Sequence, residues 1–395
     1  MKSVYISEEY CCGCTACQSV CPQKAISMHE DNVGGGYKYS VIDGHKCIDC
    51  GLCQKVCQFK TREIEGAHSA VDCYAFKHKD KCVIDNSRSA GAFTAFSDYV
   101  LENGGVIYGV ILDENFCVRH TRAVTKEQRD LLRKSKYVQS DIEGIFSEVK
   151  KDLFENKIVM FTGTGCQCDG LRAYLNTKGV NTEGLLLVDI VCHGVPSPKM
   201  FDEYISWNKK KKKSSLVSFD FRDKEKYSWG EGIEKLVFAS KRVVYQDYFT
   251  DFIFDNFVRP SCYNCKYTTA YRNSDITLGD FWGSEKSCPE FTDFKNGTSL
   301  LLIHSKKANA IFEKIKTSVF YKKIAINQCL QPRLIEPRKK TDDADKYFEV
   351  YAEKGFEYLM DNYAQNSVSL KNRSVRILKR IKNKIINRLE VRKID

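Results

Sequence analysis

Eight cysteines near the amino terminus constrain this chain more than any other feature. Cys11, Cys14, Cys17 and Cys21 are spaced Cys-x2-Cys-x2-Cys-x3-Cys with Pro22 behind them, and Cys47, Cys50, Cys53 and Cys57 repeat the spacing 36 residues later. Short turns of this kind aim three thiolates at one corner of an iron-sulfur cubane, while the fourth cysteine reaches the other cubane of a pair. The spacing therefore predicts one 4Fe-4S cluster on Cys11, Cys14, Cys17 and Cys57, and a second on Cys47, Cys50, Cys53 and Cys21. Zinc takes four ligands in two pairs and does not explain two such runs.

Residues 1–66 are thus expected to form a small α+β module of ferredoxin-like construction. Ile26 to Met28 and Lys38 to Ile42 read as short strands joined through Gly34-Gly35-Gly36. Gly13, Ala16 and Gly51 leave room for backbone amides to approach cluster sulfurs. Cys12 reads as a packed thiol. Gln58 stands where proline often follows the second run, and should matter little because proline is not a ligand.

The chain has 19 cysteines, and Met1 to Tyr10 lacks the apolar core of an export signal. A cytoplasmic chain is expected, in which regularly spaced thiols serve metals or redox chemistry before disulfides. No apolar run approaches the roughly 20 residues that span a bilayer. The longest, Leu185 to Cys192, is interrupted by Asp189.

The net charge of +11 resembles a nucleic-acid footprint, but residues 371–395 alone supply +8 of it. In that tail Ser374 can cap a helix whose Ile377, Leu378, Ile381, Ile385 and Leu389 share one face, flanked by Arg376, Lys379, Lys382 and Arg388. A basic amphipathic helix of this kind packs on its own protein, contacts an anionic membrane surface peripherally, or docks on a partner. Nucleic acid is the least favoured partner, since no reader motif accompanies the charge. Lys209 to Lys213 reads as a solvated helix end.

After a hinge near Glu65 to Ser69, helices and strands alternate. Strands are expected at Cys73 to Lys77, Val106 to Leu112, Lys157 to Phe161 and Leu185 to Ile190. Helices are expected at Ala92 to Glu102, Ile145 to Glu155, Leu171 to Asn176 and Lys199 to Asn208, with one more at Tyr347 to Leu359. This is α/β organisation with a largely parallel sheet. The expected divisions are 1–66 for the cluster module, 67–152 and 153–330 for two parts of the α/β body, 331–366 for a helical extension and 367–395 for the tail.

Two of these strands run directly into cysteines, Thr164-Gly165-Cys166 and Val191-Cys192-His193-Gly194, and Cys262-x2-Cys265 follows in a polar loop. At the carboxyl edge of a parallel sheet such loops are placed to meet a ligand. Cys166, Cys192, Cys262 and Cys265 suit a third 4Fe-4S cluster, a four-thiolate zinc site, or unrelated buried cysteines.

Five motifs in register carry a family resemblance: Ser89 to Thr94, Ser135 to Ser140, Phe161 to Gln167, Cys192 to Pro198, and Gly279 to Gly283. Over roughly residues 1–305 the chain resembles the coenzyme F420 hydrogenase/dehydrogenase beta-subunit family, in the version with an amino-terminal ferredoxin domain. The resemblance implies an oxidoreductase in which clusters exchange single electrons with FAD, and a hydride passes to a deazaflavin or another acceptor. It strengthens the third cluster on Cys166, Cys192, Cys262 and Cys265. It also implies a flavin site around Ser87, Ser89 and Gly91, with Lys136, Tyr137 and Gln139 lining the same pocket and Gly163, Thr164 and His193 beside it. An ordinary helix cap at Ser87 to Gly91 and a structural role for His193 are the plain alternatives.

The expected partners are a redox protein or ferredoxin and a small-molecule substrate. Relatives without deazaflavin resemble proteins of bacterial surface-polysaccharide biosynthesis. Three positions depart from the family pattern. Gly165 replaces a proline, Cys168 is an additional thiol that would compete as a ligand, and Ala90 replaces a glycine and would crowd a flavin. Gly165 and Ala90 favour the alternative of a non-enzymatic electron-transfer subunit with clusters and no catalytic flavin.

Overall fold

The computed structural model describes residue 4 and residues 7–31, 35–60, 71–291 and 295–364. The expected basic tail helix lies outside these residues. In the amino-terminal module, β1 (Ile26–Glu30) and β2 (Lys38–Ile42) pair antiparallel, with Ile26 opposite Ile42. Short helices, Ala16–Val20 and Leu52–Lys55, each follow a cysteine turn.

The body is built on an eight-stranded mixed sheet. Its strands are β3 (Asp72–His78), β4 (Val106–Leu112), β5 (Val118–Ala123), β6 (Val159–Thr164) and β7 (Leu185–Ile190), followed by β11 (Ile276–Asp280), β12 (Ser299–Ile303) and β13 (Val319–Ile324). The order is β13-β3-β12-β11-β7-β6-β4-β5. The centre, β11-β7-β6-β4, is parallel, and antiparallel strands flank it on both sides. The apolar runs Leu185 to Val188 and Leu300 to Ile303 are buried throughout, as strands covered on both faces must be. Strand β5 is not evident in the sequence because Arg119, His120 and Arg122 give it the charge of a protected edge.

One face of the sheet is covered by helices Ala92–Glu102 and Lys306–Ile315, whose Phe96 and Phe312 meet Met160, Leu186 and Leu301. The other carries helices Ile145–Phe154 and Gly165–Thr177, whose Phe146, Leu171 and Tyr174 pack on Tyr108, Phe161 and Leu187. Ala16, Val20 and Val56 of the amino-terminal module join this second core, so the module is welded to the body by apolar burial.

A second sheet, β8 (Leu216–Asp220), β9 (Glu234–Phe238) and β10 (Val243–Gln246), is antiparallel throughout. It packs on helices Pro198–Lys212 and Ala344–Leu359 through Phe201, Tyr204, Phe219, Phe238 and Phe249. The lysine run ends the first of these helices, where cations suit the carbonyl end of the helix dipole.

Candidate redox site

The cysteine turns depend on backbone conformations that only some residues tolerate. Gly13 and Gly51 lie at φ +67° and +73°, each shortly before a helix. At Gly13 an added Cβ would stand 2.8 Å from Gln139 Nε2 and 3.0 Å from Arg259 Nη1, so glycine also permits the module to close on the body.

The predicted sets come together as two neighbourhoods of different depth. Cys11, Cys14, Cys17 and Cys57 lie inward. Burial, then the neighbouring Cys11 and Cys57, pushes the Cys17 thiol up to about 12. Cys21, Cys47 and Cys53 lie together nearer the surface, with Cys50 exposed. The amide of Ala25 donates to Cys21 Sγ at 3.3 Å. Among the described residues no three His, Cys, Asp or Glu side chains converge tightly enough to grip a single metal ion. Backbone amides face sulfur in both neighbourhoods, from Gln18 toward Cys17 and from Gln54 toward Cys53, as they do around cluster-binding thiolates.

Cys192, Cys262 and Cys265 also share one neighbourhood, in which burial is the main cause raising each thiol and the neighbouring thiols add to it for Cys262 and Cys265. Cys166 adjoins Cys265 and is pushed up by hydrogen bonding to Cys12 and by burial. The amide of Gly194 donates to Cys192 Sγ at 3.4 Å. Cys166 stands in the first turn of helix Gly165–Thr177, which begins six residues before the expected Leu171. The reason is a capping pair, in which Gln167 Oε1 accepts from the amide and hydroxyl of Thr164 at 3.0 and 3.1 Å. The Thr-x-x-Gln signal for this start was present in the sequence. Cys168 points into the body core and bonds Val188 O at 3.6 Å, apart from the four thiols of this neighbourhood.

Two residues that look incidental in the sequence connect the module to this quartet. Cys12 is buried between Cys14 and Cys166. The Gln58 amide donates to Cys12 Sγ at 3.4 Å and to Cys166 O at 2.6 Å. The expectation that Gln58 matters little is corrected, since proline there has no side-chain donor for either bond. Helix Gly165–Thr177 comes so near that a Cβ on Gly170 would lie 2.9 Å from Cys14 Sγ. Arg259, fully buried, completes the seam, donating to Cys11 O at 2.6 Å, Lys38 O at 2.9 Å and Gln139 Oε1 at 2.9 Å.

A cavity of about 280 Å³ opens at the carboxyl ends of the parallel strands, walled by the segments 87–92, 132–138, 162–164, 190–195 and 279–282. Ser87, Ser89, Gly91, Lys136, Tyr137, Gly163, Thr164 and His193 all border it, and Cys192 does too. Gln139 does not, being held at the seam by Arg259 and by its own bond to Cys12 O at 3.0 Å. The hydroxyl of Ser87 donates to Val83 O at 2.7 Å, and that of Ser89 bonds Ser299 Oγ at 2.8 Å. Gly91 begins helix Ala92–Glu102 at φ +90°, with Val83 and His78 against the space a side chain would need. Ala90 is completely buried outside the cavity wall, so its methyl does not crowd a ligand there.

Burial lowers Lys136 to about 7 and His193 to about 4. The floor is apolar, from Leu132, Val138, Val188 and Leu278, while Arg88 Nη1 and Arg222 Nε have no hydrogen-bond partner among the described residues. An apolar floor with a few unmatched donors suits a planar ring system bearing polar groups, and the volume lies at the small end for such sites. The buried Asp189 and Arg272 pair at 3.4 Å beneath the cysteine loops. Missed as a functional feature, Asp189 was visible as a charge breaking an apolar run.

Residues 156–328 match the family described as the carboxyl terminus of the coenzyme F420 hydrogenase/dehydrogenase beta subunit, and residues 10–61 match the 4Fe-4S dicluster domain. The coenzyme F420-dependent sulfite reductase of Methanocaldococcus jannaschii is 27% identical over 172 residues, covering 41% of this chain and 24% of that protein. The chain thus spans about a quarter of the length of that relative. A solved structure of the F420-reducing NiFe hydrogenase complex from Methanosarcina barkeri shares 18% identity over 76% of this chain and 91% of the matched chain, with a TM-score of 0.46. Among the described residues no helix is long and apolar enough to cross a membrane.

Proposed function

We propose that this chain, which belongs to the coenzyme F420 hydrogenase/dehydrogenase beta-subunit family and carries a 4Fe-4S dicluster domain in front, relays electrons through three cysteine-held clusters to a flavin. The observation that carries the reading is that Cys192, His193 and Gly194 serve two sites at once. Cys192 belongs to the body quartet, and all three residues form part of the cavity wall. A flavin bound there would convert single electrons from the clusters into hydride equivalents for a deazaflavin or another acceptor.

In this reading the chain's own residues divide the work. Cys21, Cys47, Cys50 and Cys53 hold the outer cluster, within reach of a redox partner because Cys50 is exposed. Cys11, Cys14, Cys17 and Cys57 hold the inner one. Cys166, Cys192, Cys262 and Cys265 hold the third, with Cys12 and Gln58 fixing its separation from the inner cluster. Leu132, Val138, Val188 and Leu278 keep water from the cavity floor, and His193, neutral because it is buried among Arg222 and Arg333, faces the ligand without adding charge.

The rival reading, a cluster-bearing subunit without flavin, draws on one observation: the hydroxyls of Ser87 and Ser89 are already bonded within the protein. Iron, acid-labile sulfide and extracted flavin, measured together on anaerobically purified protein, separate the two. About twelve irons and one flavin per chain support the proposal, each 4Fe-4S cluster contributing four irons. About eight irons and no flavin leave only the amino-terminal clusters and favour the rival.

A further inference from the structure

Two guanidinium groups meet at Tyr137 on the cavity wall. Arg88 Nε donates to the Tyr137 hydroxyl at 3.2 Å, and the Arg222 guanidinium lies over the Tyr137 ring at 4.6 Å from its centroid. Arg88 also donates to Trp229 O at 2.6 Å and approaches Asp280 at 3.5 Å. Among the described residues its Nη1 has no hydrogen-bond partner, and neither does Arg222 Nε. Arg222 forms no ion pair among the described residues, and Asp280 is the one carboxylate that Arg88 pairs with among them. Of the two largely withdrawn cations, only Arg88 has a paired acid among the described residues.

A guanidinium taken out of water without a counter-ion is costly, and a protein usually pairs it or uses it. The planar fork of arginine matches phosphate and carboxylate oxygens better than any other side chain does. We propose that Arg88 and Arg222 form an anion clamp that receives a phosphate or carboxylate group of the ligand entering this cavity. The inference rests on the ligand cavity of the proposed function, and it names the chemistry of that ligand's charged end. Arg88 is held in place by Tyr137, Trp229 and Asp280, so it is the fixed jaw. Arg222, anchored only by stacking, is the jaw whose hydrogen-bonding capacity is free.

The anion has two possible sources, the flavin's own phosphate or a separate anionic substrate. The test uses full-length, cluster-loaded protein as wild type, Arg222→Gln and Arg222→Lys. Riboflavin and FMN, which differ by one phosphate, are titrated by flavin fluorescence, and inorganic pyrophosphate is titrated by the fluorescence of Trp229 beside Arg88. If the clamp takes the flavin phosphate, wild type binds FMN about tenfold or more tightly than riboflavin. R222Q then erases that gap with riboflavin affinity unchanged, and R222K restores part of it. If the clamp takes a separate anion, the two flavins bind alike and pyrophosphate gives a saturable response that R222Q loses. Either pattern supports the clamp. A wild type with neither FMN preference nor pyrophosphate response overturns it, as does R222Q behaviour indistinguishable from wild type. Absence of all flavin binding, with an R222Q-sensitive pyrophosphate response, sinks the flavin reading and leaves the clamp intact.

Discussion

Replacement of Arg259 by methionine should lower the reduction potential of one amino-terminal cluster and leave the other nearly unchanged. Arg259 is a buried cation with no ion pair among the described residues, and its Nη2 lies 3.7 Å from Cys11 Sγ. Its remaining contacts are backbone carbonyls, Gln139 and the faces of Tyr37 and Tyr39, at 5.3 and 4.3 Å. Glu8 and Asp31 interact with it without forming an ion pair, and Cys11 is the foremost group its charge acts on. At that distance two unit charges interact by about 4 kcal/mol for an effective dielectric of about 20. An electron spread over a cubane sits farther away than the nearest sulfur, so the expected shift is on the order of 50 to 100 mV. The direction is downward, because a cation favours the reduced and more negative cluster.

Redox titration of the full chain followed by electron paramagnetic resonance measures this directly, since the two clusters titrate separately when their potentials differ. Arg259→Lys keeps the charge and loses the planar fork, so it should loosen the seam while holding the potential within about 20 mV of wild type. Equal potentials in wild type and R259M would refute the argument. A matching drop in R259K would also refute it, since that would trace the effect to geometry instead of charge.

Other perturbations test separate parts of the structure. Gly165→Ala places a Cβ 2.7 Å from Arg272 Nη1 and 3.1 Å from Tyr267 Cβ, so the end of Arg272 must shift beside Asp189 and stability should fall by about 1 to 3 kcal/mol; a thermal midpoint equal to wild type would contradict this. Gln58→Ala removes its own bonds to Cys12 Sγ and Cys166 O, leaving the direct Cys12–Cys166 contact, and should cost about 1 to 3 kcal/mol, read as a lower denaturant midpoint with the iron content of the amino-terminal module retained. Cys265→Ser should remove about four irons per chain and spare the amino-terminal clusters, and unchanged iron and spectra would rule Cys265 out as a required ligand. Burial holds Glu234 up to about 8, so the folded protein retains a proton there that the unfolded chain releases near 4.5, and stability should fall as pH rises between those values. Glu234→Gln should flatten that decline in pH-dependent denaturation, and an identical slope would argue that Glu234 is ionised in the native protein.

The parts of this molecule legible in its sequence are those specified by short-range spacing. The cysteine runs fix each turn within a dozen residues, and the apolar runs of β4, β6 and β7 announce buried strands wherever they fold. The direction in which the module faces the body was not legible. That depends on Cys12, Gln58, Gln139 and Arg259, which are up to 247 residues apart and meet only in the folded chain. Sheet β8-β9-β10 was hidden for a different reason. Its strands are four or five residues long and bordered by lysine, arginine and glutamate, so the alternating pattern is too brief to stand out from a polar segment. Arg88 and Arg222 carry no periodic signature at all, and their significance lies in the partners they lack.

The departures from the family pattern acquire a different meaning once their surroundings are known. Gly165 stands where the family resemblance leads one to expect proline, which on sequence alone suggests a loosened backbone. The space beside it is occupied instead by Arg272, Tyr267 and Asp189, with the nearest atoms 2.7, 3.1 and 3.2 Å from where a Cβ would be. A proline ring would collide with the ion pair. The capping pair of Thr164 and Gln167 secures the helix start that a proline at the first position would otherwise favour. The rigidity of this cysteine turn is therefore supplied by side-chain bonds and a buried charge pair. Ala90 gives a parallel case, because its methyl fills the protein interior behind the cavity wall. Neither departure removes a group that faces the cavity, so the case against a flavin rests on the internally bonded Ser87 and Ser89 alone.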